Sequence, residues 1–138
     1  MTCVKHFALN SMENARFNVD VQIDDTALHE VHLPHVRQLV EGGVSSVMSS
    51  YNSIRGGFAG QNHELLNDIL RQEWGFGRFV LSYFIFGLRD AVKSIKNGLD
   101  VEASFQQQRA LYVSEAQKRG DLAWSEINRS CARILCCK

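Results

Sequence analysis

The sequence carries no net charge, because its fifteen Lys and Arg residues are matched by fifteen Asp and Glu. Nucleic acid and anionic membrane surfaces both need concentrated positive charge, so neither is an expected partner. No apolar run reaches membrane-spanning length, and Met1 is not followed by a basic and then apolar signal segment. A soluble, cytoplasmic chain is expected. The four cysteines, Cys3, Cys131, Cys136 and Cys137, lack CxxC or finger spacing and read as reduced thiols rather than metal ligands. Pro34, the single proline, suits the first turn of a helix. No low-complexity segment or linker divides the 138 residues, and a 45% hydrophobic content is ample for one core. A single domain over residues 1–138 is expected.

What the chain does contain is organised around Trp74 to Phe84. A helix ends at Trp74, with Gly75 free to take the left-handed cap conformation. Phe79 to Phe84 follows, β-branched and aromatic and apolar on both alternating faces. Such a run reads as a strand covered on both sides, as in a parallel sheet flanked by helices.

The flanking pattern repeats this unit. Thr2 to Phe7 reads as a strand, and Phe17, Val19, Val21 and Ile23 alternate as an extended segment with one buried face. Asp24 to Thr26 offers caps for a helix bearing Leu28, Val31 and Leu33, and Pro34 opens a second one that ends at Gly42-Gly43. Val44 to Ser50 is a strand that opens into a loop from Tyr51 to Gly60. Asn62 caps a helix whose Leu65, Leu66, Ile69, Leu70 and Trp74 fall on one stripe. After the organising strand come a short helix over residues 88–97, a brief strand from Leu99 to Ala103, and two closing helices. These run roughly from Phe105 to Arg119 and from Leu122 to Cys136, with Asp121 as the expected cap of the second. Alternating strands and helices predict an α/β fold with parallel strands. The pattern alone allows either a small doubly wound sheet or part of a βα barrel.

In both architectures chemistry sits beyond the carboxyl ends of the strands. Lys5-His6 and Tyr83-Phe84 occupy such ends. The aromatic pair brings no nucleophile, base or acid of useful pKa. His29, His32 and His35 recur every three residues, which is not the i, i+4 spacing of a zincin, and Pro34 re-aims the last. Glu30, Glu64 and Glu102 form no evident facing pair of the kind glycoside hydrolysis requires. Gly56-Gly57 lacks the strand-to-helix context of a phosphate cradle and reads as a turn. Asn128-Arg129-Ser130 is a formal glycosylation sequon on a predicted helix. Neither a metal nor a cofactor is expected.

Several motifs in order nevertheless carry a resemblance. These are Lys5-His6-Phe7, Leu33-Pro34-His35, Met48-Ser49-Ser50-Tyr51-Asn52, Leu66 to Arg71, Gly75-Phe76, Phe79 to Ser82 and Gly98 to Glu102. Together they resemble glycoside hydrolase family 3, the β-glucosidase family. The resemblance implies a partial (β/α)8 TIM-like barrel, roughly its last four βα units, from the second half of the family's catalytic barrel. It implies that Lys5 and His6 bind the hydroxyls of a glucose unit or β-glucoside. Met48 and Tyr51 would line the same subsite, the Tyr51 hydroxyl lying close to the nucleophile. Convergent hydrogen-bonding groups beside aromatic faces suit a neutral sugar.

The departures from the family pattern are equally informative. The aspartate nucleophile that follows the serine of the Phe79–Ser82 motif is replaced by Tyr83, and the usual Trp after it by Phe84. Arg78 replaces a small turn residue, and Ala103-Ser104 the usual Met-Pro. The first barrel half and the domain that supplies the general acid/base have no counterpart in these residues. A retaining glycosidase needs an attacking carboxylate and a second carboxyl to protonate the leaving oxygen. A phenol at its ordinary pKa of about 10 is almost wholly neutral at pH 7. The expected product is a β-glucosidase-like fragment without activity. The alternative is a non-catalytic sugar-binding or interaction module that keeps Lys5, His6, Met48, Tyr51 and Phe84. Self-association through open barrel edges is expected in either case.

Overall fold

A computed structural model describes residues 1–104 and 108–136. Phe105 and Cys137, which figure in the expectations above, lie outside the described residues. Strands β1 (Cys3–Phe7), β3 (Ser46–Ser49) and β6 (Phe79–Leu81) form one parallel sheet in the order β1-β3-β6. Val4, Val47 and Val80 are in register across it and are buried, so they form the face that packs under the helices. A single parallel bridge from Leu81 to Val101 extends the sheet by a fourth position. The predicted strand from Leu99 to Ala103 is therefore reduced to one bridge.

The connections are the predicted helices. Helix α1 (Asp25–Ala27) is capped by the Asp24 carboxylate, which accepts from Ala27 N at 2.9 Å, and it continues into a π turn over Leu28–His32. Helix α2 (Pro34–Glu41) begins at the proline. The Asn62 side chain accepts from Leu65 N at 3.1 Å, at the start of a π-helix over Glu64–Glu73. That helix is wound more widely than the α-helix its sequence predicts, yet Leu65, Leu66, Ile69 and Leu70 all reach the core. Full burial of each such side chain contributes about 1.5–3 kcal/mol. Gly75, at φ +69°, turns the chain out of the helix into β6.

Helix α3 (Ala91–Lys96) is capped by Asp90, and α4 (Gln108–Arg119) and α5 (Trp124–Leu135) close the described chain. Asp121 is not the cap of α5. The chain enters that helix at Ala123, whose N–H is met by Glu126 at 2.7 Å, while Asp121 pairs with Arg119 at 2.9 Å. The cap role moved because the helix starts two residues later than the sequence pattern suggests.

The stretch from Tyr51 to Gly60 is not a plain loop. It holds β4 (Ser53–Ile54) and β5 (Gly57–Phe58), an antiparallel hairpin that also pairs in parallel with β2 (Asp20–Val21). The two turn residues, Arg55 and Gly56, both have positive φ, as a two-residue primed turn requires. Arginine is a poor residue for that conformation, and tertiary contacts hold it there. Its guanidinium donates to Ile23 O at 2.9 Å and pairs with Asp25 and Glu64, both at 2.6 Å.

Candidate functional site at the mouth of the parallel sheet

The carboxyl ends of β1, β3 and β6 bring His6, Tyr51 and Tyr83 into one stack. Tyr83 lies between the other two, its ring centroid 4.2 Å from His6 and 3.8 Å from Tyr51, with interplanar angles of 19° and 26°. Phe84 stands edge-on to Tyr83 at 6.1 Å and is 49% exposed. Tyr51 is buried, and its hydroxyl donates to Phe84 O at 2.6 Å rather than projecting into an open site. Burial, then the neighbouring Tyr83, pushes the Tyr51 phenol above its ordinary pKa. Met48 is buried within β3, in register with Leu81, and Lys5 is exposed.

The turn that presents Tyr83 depends on close backbone packing. Strand β6 ends at Leu81, not Phe84, and Ser82 ties the next segment down. Its N–H donates to Val101 O at 2.9 Å and its hydroxyl oxygen accepts from Ala103 N at 2.9 Å. The chain then folds back on itself, so that a Cβ added at Gly87 would lie 2.4 Å from Tyr83 O and 2.6 Å from Tyr83 N. Gly87→Ala is therefore expected to cost about 1–3 kcal/mol through overpacking. It should also loosen the stack, read as a loss of near-ultraviolet circular dichroism from Tyr51 and Tyr83. An unchanged spectrum and melting temperature would argue against this packing.

Two residues absent from the sequence-based site complete the arrangement. Arg16 pairs with Glu13, and its guanidinium lies 4.9 Å from the Phe17 ring, 5.1 Å from Tyr51 and 6.0 Å from Tyr83. At these separations a cation is attracted to aromatic faces. Phe17 packs on Tyr51 at 4.7 Å. The only sequence signal was an i, i+3 charge pair in a loop, which by itself is ordinary surface chemistry.

His6 feels this setting directly. Burial, the Lys5 charge and the Arg16 charge depress its pKa below 6.5, with Glu13 opposing them. A depressed histidine pKa means that the fold favours the neutral ring. Its contribution to stability is complete above pH 6.5 and declines as pH falls through the lower folded value. A nuclear magnetic resonance titration of His6 should give a midpoint under 6.5, and a midpoint at or above that value would contradict the stacked, cation-flanked setting.

The profile of the glycosyl hydrolase family 3 N terminal domain matches residues 1–137. β-Glucosidase BoGH3A of Bacteroides ovatus is 34% identical over 148 aligned positions, which cover 96% of this chain and 20% of that enzyme. An exo-α-(1→6)-L-arabinopyranosidase of Bifidobacterium longum is 40% identical over 102 positions, covering 73% of this chain and 13% of that enzyme. Among solved structures, β-glucosidase 3B of Thermotoga neapolitana in complex with glucose superposes with a TM-score of 0.92 at 32% identity, over 96% of this chain and 20% of that one. A family 3 β-glucosidase of Bifidobacterium adolescentis superposes with a TM-score of 0.91 at 31% identity, over 99% and 20%. The chain thus spans about a fifth of the length of the curated relatives it matches most fully.

Proposed function

Because this chain belongs to glycosyl hydrolase family 3, we propose that residues 1–138 are the later part of a β-glucosidase-type barrel, roughly its last four βα units, and that they lack glycosidic chemistry. The observation that carries this reading is the place of Tyr83. It follows Ser82 at the end of β6, where the family pattern has the nucleophilic aspartate, and its ring is sandwiched between His6 and Tyr51. A phenol lacks the carboxylate by which the family's retaining mechanism attacks the anomeric carbon, and the ring fills space beside the position of attack. Lys5, His6, Met48, Tyr51 and Phe84 are the residues carried over from the family's sugar subsite. Of these, His6, Tyr51 and Phe84 cluster around Tyr83.

The same reading makes residues 1–138 one partial barrel domain. Among the described residues, its sheet ends at β1 on one side and at the Val101 bridge on the other. Both are parallel seams for further strands, and a chain that presents them uncovered is expected to self-associate.

The test uses two matched chains completed with the first barrel half and second domain of a related family 3 enzyme. One keeps Tyr83 and the other carries Tyr83→Asp. Hydrolysis of an aryl β-glucoside by the aspartate chain alone supports the reading, and equal turnover by the chain that keeps Tyr83 overturns it. A second reading, a sugar-binding module without chemistry, is favoured by the half-exposed Phe84 and by the hydrogen-bonding groups beside His6.

A further inference from the structure

A phenol where the family has a carboxylate leaves one negative charge fewer at a mouth that holds two cations. Arg16 lies over the aromatic cluster, Lys5 is exposed on β1 next to His6, and both charges are felt at His6. The carboxylate facing them is Glu13, paired with Arg16 across a solvent-accessible surface. Such a pair contributes at most about 1 kcal/mol, so an incoming anion can exchange with it.

Beside His6 lies a polar cavity of about 190 Å³, lined by Asn10, Ser11, His32 and His35 as well as His6 itself. Nε2 of His6 and Oδ1 of Asn10 are buried and lack a hydrogen-bond partner among the described residues. A hydroxyl group both donates and accepts, so it can bond the polar side chains that line the cavity. At about 30 Å³ per water molecule the space suits several hydroxyls and excludes a large ligand.

We propose that this mouth binds a monosaccharide bearing a carboxylate or phosphate in preference to a neutral sugar, the anion pairing with Arg16 and Lys5 and the hydroxyls entering the cavity beside His6. The proposal rests on the reading that Tyr83 stands at the nucleophile position. With an aspartate there, the same anion would meet a like charge.

Titration calorimetry on the 138-residue chain tests it with glucuronate, glucose 6-phosphate, glucose, acetate and inorganic phosphate as separate ligands. At least one anionic sugar should bind about tenfold or more tighter than glucose, the scale of one charge-assisted contact. The comparison of glucuronate with glucose 6-phosphate identifies which anion is preferred. Arg16→Gln should abolish the preference and Arg16→Lys should keep part of it, while Tyr83→Asp should reverse it. Glucose binding as tightly as both anionic sugars, no sugar binding at all, or a preference that survives Arg16→Gln would each overturn the proposal. Acetate or phosphate binding as tightly as the corresponding sugar would also overturn it, since the cavity would then contribute nothing. These outcomes are independent of hydrolysis in the completed chains, so failure of the anion preference and failure of the catalytic reading are distinguishable.

Discussion

Tyr83→Asp in the 138-residue chain is expected to give no measurable hydrolysis of an activated aryl β-glucoside. Such a substrate has a good leaving group and needs little general-acid help, so the absence of an acid/base from these residues is partly bypassed. The restored carboxylate would still face a sugar held from one side only. His6, Tyr51 and Phe84 surround the position, but the aspartate and arginine that the family resemblance places in the first barrel half do not fall within residues 1–138. Holding a reactant at attack distance can account for roughly 7–11 kcal/mol of barrier lowering. Loss of the lower figure alone slows the step by roughly 10⁵-fold. Clear turnover by the substituted chain on its own would show that these strands position the sugar unaided.

Asp100→Asn is expected to be the most destabilising single conservative substitution, at about 3–5 kcal/mol. The Asp100 side chain is fully buried, and it lies 2.7 Å from both Arg71 on the π-helix and Arg133 on α5. It also accepts from Val80 N and from the Ser130 hydroxyl, each at 2.9 Å. Arg109 joins through the backbone, donating to Leu99 O at 2.6 Å and to Asp100 O. Burial pushes the Arg109 pKa down to about 10, with Asp100 opposing, and burial likewise lowers Arg71 against the pull of the same carboxylate. An amide keeps the shape and much of the hydrogen bonding but leaves two largely buried guanidinium groups facing a neutral residue.

A domain of this size has only about 5–15 kcal/mol of total stability, so the variant should lose much of it. Ser130→Ala removes one hydrogen bond from the same carboxylate while leaving its charge, and should cost less, about 1.5–3 kcal/mol. Urea denaturation of both variants, read as a shift in midpoint at constant slope, separates charge from hydrogen bonding. Equal shifts for the two would show that the carboxylate acts as a hydrogen-bond acceptor and not as a buried counter-charge. The strand that leads to Tyr83 is bonded to Asp100 through Val80 N. The aromatic stack should therefore loosen together with this hub.

The sequence by itself determined the elements whose signals are local. The Leu65–Trp74 stripe, the Gly75 exit, the Asp24 and Asn62 caps and the strands around Val4, Val47 and Val80 all follow from side-chain period and terminal chemistry. The ordered motifs from Lys5 to Glu102 were enough to indicate the family, and the departure at Tyr83 was visible as a residue out of pattern. Tertiary structure alone decided the rest. A turn at Gly56 was legible from its glycines, but the positive φ of Arg55 beside it was not, and that residue is held by ion pairs to Asp25 and Glu64 from distant segments. Asp100 reads as one acid in a short motif until folding brings Arg71, Arg133 and Ser130 to it. Residue spacing could not place Arg16 over Tyr51 and Tyr83, because the contact joins a loop after β1 to the ends of β3 and β6. Nor could it show that Tyr83 would lie flat between His6 and Tyr51. Those geometries depend on which strand ends become neighbours, and strand order is set by packing of the whole sheet rather than by any single stretch of chain.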